Sequence, residues 1–230
     1  INLKRVNKKN CLTMIGWMIM KCDLLEKLDI MIPDPKCELN YNKDYELLIA
    51  TVLSAQCTDA RVNMVTKELF SKYDIYSLAA ANINDIKKII KSVGTYTRKS
   101  EYIIEIAKRL VNDYNGKVPN DRKYLESLPG VGRKTCNVVL SNIYDVPTIA
   151  VDTHVERVSK RLNLVRQNDG VIKVENKLMK KIPKNKWSRF HHQMVLFGRY
   201  ICKSKNPDCE NCLLNNECKY YLRTVKKSLK

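Results

Sequence analysis

Four cysteines lie in the last thirty residues, Cys202, Cys209, Cys212 and Cys218, in the spacing C-x6-C-x2-C-x5-C. Gaps this short fold four thiolates onto one loop, which suits a metal ion or an iron-sulfur cluster far better than a set of disulfides. From the spacing alone, tetrahedral zinc is the first reading and a 4Fe-4S cluster remains open beside it. The chain carries nine cysteines, an odd count for a secreted disulfide scaffold, and a reducing compartment fits better. Cys11, Cys22, Cys37, Cys57 and Cys136 are scattered and read as buried or free thiols.

With 230 residues the chain can bury one large core or two small ones. Lysine and arginine number 42 against 24 acids, and the resulting +18 would draw in a polyanion. Nucleic acid is the leading partner, although ribosomal proteins, membrane-surface proteins and lysine-rich proteomes share such a balance. No stretch reaches the roughly 18 to 20 apolar residues of a membrane span. The longest apolar run is Leu12 to Met20, so no membrane partner is expected. Lys4, Arg5, Lys8 and Lys9 precede that run as in a signal or transit peptide, yet no small-residue cleavage site follows. Residues 1–19 are therefore expected to be an extension or translated upstream sequence outside the core. An intracellular location is expected: cytoplasm or nucleoid in a prokaryote, nucleus or mitochondrion in a eukaryote.

Helical periodicity dominates the rest. Ile103, Ile104, Ile106, Ala107, Leu110 and Val111 share one face of a helix that ends near Gly116. Gly, Pro, Asn and Asp signals separate further helices predicted at about 21–30, 44–56, 59–70, 84–92, 122–127, 133–143, 154–162, 171–181 and 185–202. No run alternates long enough to make a strand and no repeat of fixed period occurs, so the fold class is all-α.

In Leu128-Pro129-Gly130-Val131-Gly132 the proline stops one helix, and the two glycines permit a tight turn whose amides can approach a phosphate. The next helix begins at once, and its dipole adds to an anion site that would fix register on DNA without reading sequence. An ordinary turn between packed helices is the plainer alternative. Lys134 falls in the first turn of this second helix, at the dipole end that disfavours a cation. A free amine there can attack the anomeric carbon of a damaged nucleotide, expel the base and hold the sugar as a Schiff base. Most lysines of a basic protein are instead solvated or paired with phosphate.

Taken together, LESLPGVGRKTCNVVL from Leu125, VPTIAVDTHVERV from Val146 and GRYICKSKNPDCENC from Gly198 resemble the endonuclease III family, DNA glycosylases with a helix-hairpin-helix and an iron-sulfur loop. The resemblance covers roughly Met20 to Tyr221. It implies a two-lobed fold: a six-helix barrel lobe of residues 37–146 containing the helix-hairpin-helix, and an iron-sulfur cluster lobe of residues 20–36 plus 147–222. DNA would bind across the groove between the lobes, and residues 223–230 form a basic tail.

The resemblance further implies that Lys134 is the nucleophile and that Asp152 is the carboxylate that stabilises positive charge developing on the sugar. Asp152 or Thr153 could instead cap the following helix, with Thr153 and Glu156 forming a capping box. It implies that Cys202, Cys209, Cys212 and Cys218 hold a structural 4Fe-4S cluster whose loop leans Lys203 and Lys205 toward phosphate. LLIATVLSAQCTDARVN carries Gln56, which the resemblance has entering the space left when a nucleotide is extruded from the stack. Where the family usually places a bulky apolar wedge after a glycine, this chain reads Gly94-Thr95-Tyr96-Thr97. Thr95 is a poor wedge, and Tyr96 would either take over by stacking or pack in the core. Leu128, Gly130, Val131, Gly132, Arg133 and His154 complete the implied DNA-contacting set. His154, His191 and His192 read first as satisfied structural histidines.

The implied activity is a monomeric, bifunctional DNA glycosylase and abasic-site lyase acting on double-stranded DNA that contains oxidised pyrimidines or abasic sites. One alternative is a monofunctional mismatch or adenine glycosylase of the same superfamily, against which Lys134 argues. The other is a non-catalytic helix-hairpin-helix module that only binds DNA, against which Lys134 and Asp152 together argue.

Overall fold

The structure, a computed structural model, describes residues 23–225. Every regular element among the described residues is helical. Residues 1–22 and 226–230, which take in the expected extension, Cys11, Cys22 and most of the basic tail, lie outside the described residues. The chain divides into two compact units, Lys36–Ala150 and the pair of segments Ile1–Pro35 and Val151–Lys230. With α1 denoting the helix over residues 23–31 of the second unit, the Lys36–Ala150 unit contains α2 (Asp44–Leu53), α3 (Asp59–Lys72), α4 (Ile75–Ala79), α5 (Ile83–Ile89), α6 (Tyr96–Tyr114), α7 (Arg122–Ser127) and α8 (Arg133–Tyr144).

Every residue of α2 from Tyr45 to Leu53 is buried. A helix with no polar face must sit in the middle of its unit, and α2 packs on α3, α6 and α8. The spacing of Ile103, Ile106, Ala107 and Leu110 turns one face of α6 into the same core. Burying each such aliphatic side chain contributes about 1.5–3 kcal/mol. The helix ends where Asn115 and Gly116 turn left-handed (φ 55° and 79°), and the Gly116 amide returns to the Leu110 carbonyl at 2.8 Å.

Helix α2 stops at Leu53 rather than near residue 56, because the chain turns through Ser54 and Ala55 into Gln56, itself left-handed at φ 56°. Helix α4 was not anticipated: it is too short to show periodicity, and its signature is the reciprocal Asp74–Ser77 capping box. The unit runs past the boundary expected at residue 146. Thr148, Ile149 and Ala150 are buried in it, with Thr148 Oγ1 donating to the Asn137 carbonyl at 2.9 Å.

The other unit holds α1, α9 (Thr153–Arg161), α10 (Val171–Lys181) and α11 (Trp187–Leu196). Asp29 on α1 accepts from Arg189 Nε and Gln193 Nε2 of α11, both at 2.7 Å, and the guanidinium holds its carboxyl below the usual carboxylate range. The helix predicted over 185–202 is three pieces: a 3-10 turn at Lys184–Lys186, α11, and a π-helical turn at Phe197–Ile201. No helix among the described residues is long and apolar enough to cross a membrane.

Before α10, the Asp169 carboxylate is shielded from solvent, bonded to Lys177 and to the Arg166 amide (2.8 Å). Its pKa is held down at about 2, chiefly by Lys177. A depressed carboxyl stabilises the fold above its unfolded value of about 3.9 and loses that contribution as pH falls toward the folded value. Asp169→Asn is thus expected to unfold at lower urea than the native chain at about pH 6, with the gap narrowing below about pH 4 and closing toward about pH 2. A gap independent of pH would contradict this origin.

Candidate nucleic-acid interface and cysteine loop

Between α7 and α8 the Val131 amide donates to the Leu128 carbonyl at 3.1 Å, with Pro129 and Gly130 at the turn's centre and Gly130 at φ 75°. This is the pattern of a type II turn. Gly130 is required twice over, because a Cβ there would also stand 2.6 Å from Tyr102 Cδ2 and 3.2 Å from Val52 Cγ1. Gly132 differs: its backbone is extended and a Cβ would meet nothing within 4 Å. The first glycine locks the hairpin to α2 and α6, while the second leaves open space in front of the α8 amino terminus. That terminus has no side-chain cap and faces open space, which leaves its dipole end accessible, as an anion site requires.

Leu128 and Val131 bury their side chains, at 3% and 5% exposure, so only their main chain faces outward contacts. Arg133 and Lys134 are exposed on the first turn of α8. Lys134 has no hydrogen-bond or ion-pair partner among the described residues. Behind them Asn137, 1% exposed, accepts from Arg122 Nη2 of α7 at 2.7 Å and donates to the Ile149 carbonyl at 3.4 Å, bracing the hairpin's two helices. Arg109 of α6 bonds the Ser127 carbonyl at 2.9 Å and so closes the end of α7.

The same unit gathers the segments expected at the extruded nucleotide. Gln56 is exposed in its left-handed conformation, and a Cβ on Gly94 would lie 3.5 Å from its carbonyl oxygen. Thr95 is exposed and left-handed at φ 58°, with its hydroxyl on the Gly94 carbonyl at 2.6 Å. Tyr96 is half-buried against the core, so Thr95 is the outward residue of this loop.

In the other unit Asp152 caps α9, its Oδ1 accepting from the amides of His154 (2.9 Å) and Val155 (2.8 Å). The capping box anticipated from Thr153 and Glu156 does not form, since Thr153 is already helical and Glu156 pairs with Lys160. Asp152 Oδ2 has no hydrogen-bond partner among the described residues. His154 faces Arg157 Nη2 through Nδ1 at 3.2 Å. Its Cβ lies 2.9 Å from the place a Gly198 Cβ would take, so the glycine lets the π-helical turn close on α9. His191 is buried beside His192, whose pKa burial lowers.

That turn releases the Gly198 carbonyl to Arg157 Nη2 (2.7 Å) and delivers Cys202, whose amide returns to Phe197 at 2.7 Å. Arg161 Nη1 lies 3.3 Å from Cys202 Sγ and 2.6 Å from the Lys203 carbonyl. Asn215 ties the Cys209 carbonyl to the turn before Cys218, at 3.3 Å. All four cysteines are free thiols. Burial pushes Cys212 up to about 11 and raises Cys209, and the charges of Cys202 and Cys218 add to the rise in both. Four free thiols on one loop, with a guanidinium beside Cys202, are a donor set that suits a metal centre or an iron-sulfur cluster. No three His, Cys, Asp or Glu side chains among the described residues converge closely enough for a single metal ion.

Residues 49–184 match the family model of the HhH-GPD superfamily base excision DNA repair protein. Endonuclease III of Bacillus subtilis is 48% identical over 206 residues, 89% of this chain and 94% of the relative. The chain superposes on a non-covalent endonuclease III–DNA complex with a TM-score of 0.85, and on a trapped endonuclease III–DNA covalent intermediate with 0.84. Each pair is 48% identical, covering 93% of this chain and 98% of the other. The chain belongs to the endonuclease III family. As a member of that family it is a DNA-binding base excision repair enzyme, a DNA glycosylase and abasic-site lyase.

The two hairpin glycines of this endonuclease III-family chain should separate by substitution. Gly130→Ala is expected to cost about 2–4 kcal/mol through its left-handed backbone and the clash with Tyr102. Gly132→Ala should cost about 0.5–1 kcal/mol of stability yet weaken binding to duplex DNA, as urea unfolding and fluorescence anisotropy would show. Equal stability losses would contradict the assignment.

Proposed function

We propose that Lys134 is the nucleophile and Asp152 its electrostatic partner in removing oxidised pyrimidines from double-stranded DNA and cleaving the abasic site that results. The observation that carries this reading is an exposed, unpartnered lysine on the uncapped first turn behind the hairpin, in a chain of the endonuclease III family. The Lys134 Nζ lone pair forms a bond to C1′ as the C1′–N bond to the base breaks. The base leaves with that electron pair and takes a proton. Opening of the sugar ring gives the protonated Schiff base. Loss of a C2′ proton then expels the 3′ phosphate, and water hydrolyses the imine to return the amine.

Asp152 stabilises the positive charge that builds on the sugar while the base departs. Its capping duty occupies Oδ1, which leaves Oδ2 for this role, so the two functions are compatible. The hairpin main chain, with Arg133, grips backbone phosphate, and Gln56 and Thr95 occupy the gap left in the duplex. Cys202, Cys209, Cys212 and Cys218 hold a 4Fe-4S cluster. Bound there, it supplies a rigid cross-link for the loop and no chemical step. The protein works as a monomer.

Lys134→Gln is expected to bind abasic-site duplex and to give neither a borohydride-trapped adduct nor strand cleavage. Asp152→Asn retains a side chain that can cap α9, so a loss of about 100-fold or more in excision would report the missing charge. An adduct formed undiminished by Lys134→Gln would overturn the nucleophile. For the loop, purified protein should contain iron and inorganic sulfide, with visible absorption lost in Cys212→Ser. Stoichiometric zinc without iron would overturn the cluster.

A further inference from the structure

Lys99 lies on the first turns of α6, 4% exposed, in phase with the buried Ile103, Ile106 and Leu110. An ammonium buried on an apolar stripe is costly unless its donors are used. Here it donates to the Leu53 carbonyl at 2.9 Å and the Ala55 carbonyl at 2.5 Å. These belong to the last turn of α2 and the loop after it, where helical carbonyls go unpaired and a cation is favoured. Burial pulls the lysine below its ordinary range, and the charge of neighbouring Cys57 opposes that.

The two ends that Lys99 joins each carry an exposed, left-handed, non-glycine residue. Gln56 follows Ala55 directly, and Thr95 offers its carbonyl to the Lys99 amide at 3.1 Å. Left-handed residues with side chains are strained and persist only where their surroundings over-determine them. Gly94 fits against the Gln56 carbonyl between them.

We propose that Lys99 is a positioning residue for nucleotide extrusion, a buried clamp that ties the end of α2 to the start of α6 and presets Gln56 and Thr95. The inference rests on the reading that these two side chains fill the opened duplex. Lys99 touches neither DNA nor the reacting atoms. It removes the search for the correct loop geometry from the step in which the nucleotide leaves the stack, so its loss is felt where that step is slow. At a lesion already unpaired, extrusion costs little, and the clamp has nothing to contribute.

The test uses the full, iron-loaded chain in single-turnover excision of thymine glycol, from a fully paired duplex and from the same lesion inside an unpaired bubble. Lys99→Met is expected to slow excision from the paired duplex about tenfold or more while leaving the bubble within about twofold, and Gln56→Ala should show the same split. Lys99→Gln, which keeps a shorter neutral donor, should lie between, and it carries the test if Lys99→Met fails to fold. The double variant of Lys99 and Gln56 should be slower than Gln56→Ala alone by much less than the factor Lys99→Met causes in the native chain, since the clamp acts in part through Gln56. Equal losses on both substrates, or multiplicative losses in the double variant, would overturn the clamp while leaving Gln56 in its role. An unaffected Gln56→Ala would overturn the reading of Gln56, and the clamp with it.

Discussion

The close approach of the Gly130 backbone to Tyr102 and Val52 is the constraint on which the Lys36–Ala150 unit turns. Only a residue without a Cβ, free to take φ 75°, can sit there. That single contact fixes the hairpin against α2 and α6, and with it the direction in which the uncapped start of α8 points its amides. Lys134 inherits its position from this arrangement, since it rides on the first turn of the helix so placed. Gly132, two residues on, serves the opposite end and keeps the approach clear.

Helix α6 distributes this order along the unit. Lys99 holds the end of α2, Tyr102 meets the hairpin, and Arg109 closes α7 through the Ser127 carbonyl. These side chains lie about a turn or two apart, so one rigid helix sets the positions of three segments that face DNA in the proposed reading. Rigid support of this kind is what a site needs when its working parts are loops. In the other unit α9 plays a comparable part, with Asp152 capping its start and Arg157 and Arg161 bonding the carbonyls around Cys202.

Much of this was legible in the sequence, for physical reasons. Four closely spaced cysteines and a Pro-Gly-x-Gly turn between helical stripes leave few structural options. The buried face of α6 follows from its apolar spacing. Other features were hidden because they depend on which groups meet across the core. The Asn137 brace has no periodic signature, and Leu128 and Val131 look like contact residues until their side chains are seen to be buried. Thr153 was a fair capping candidate, yet Asp152 takes the duty one residue earlier. Lys99 did leave a trace: a lysine in helical phase with Ile103, Ile106 and Leu110 must either break the stripe or find buried acceptors, and the carbonyls of Leu53 and Ala55 are those acceptors.

In the proposed reaction one amine, at the start of α8, makes and breaks the covalent bond to DNA. Its most direct test is to reduce the native complex with borohydride, digest protein and DNA, and locate the sugar remnant by tandem mass spectrometry. The remnant is expected on Lys134 alone. A remnant on any other amine, Lys99 included, would contradict it.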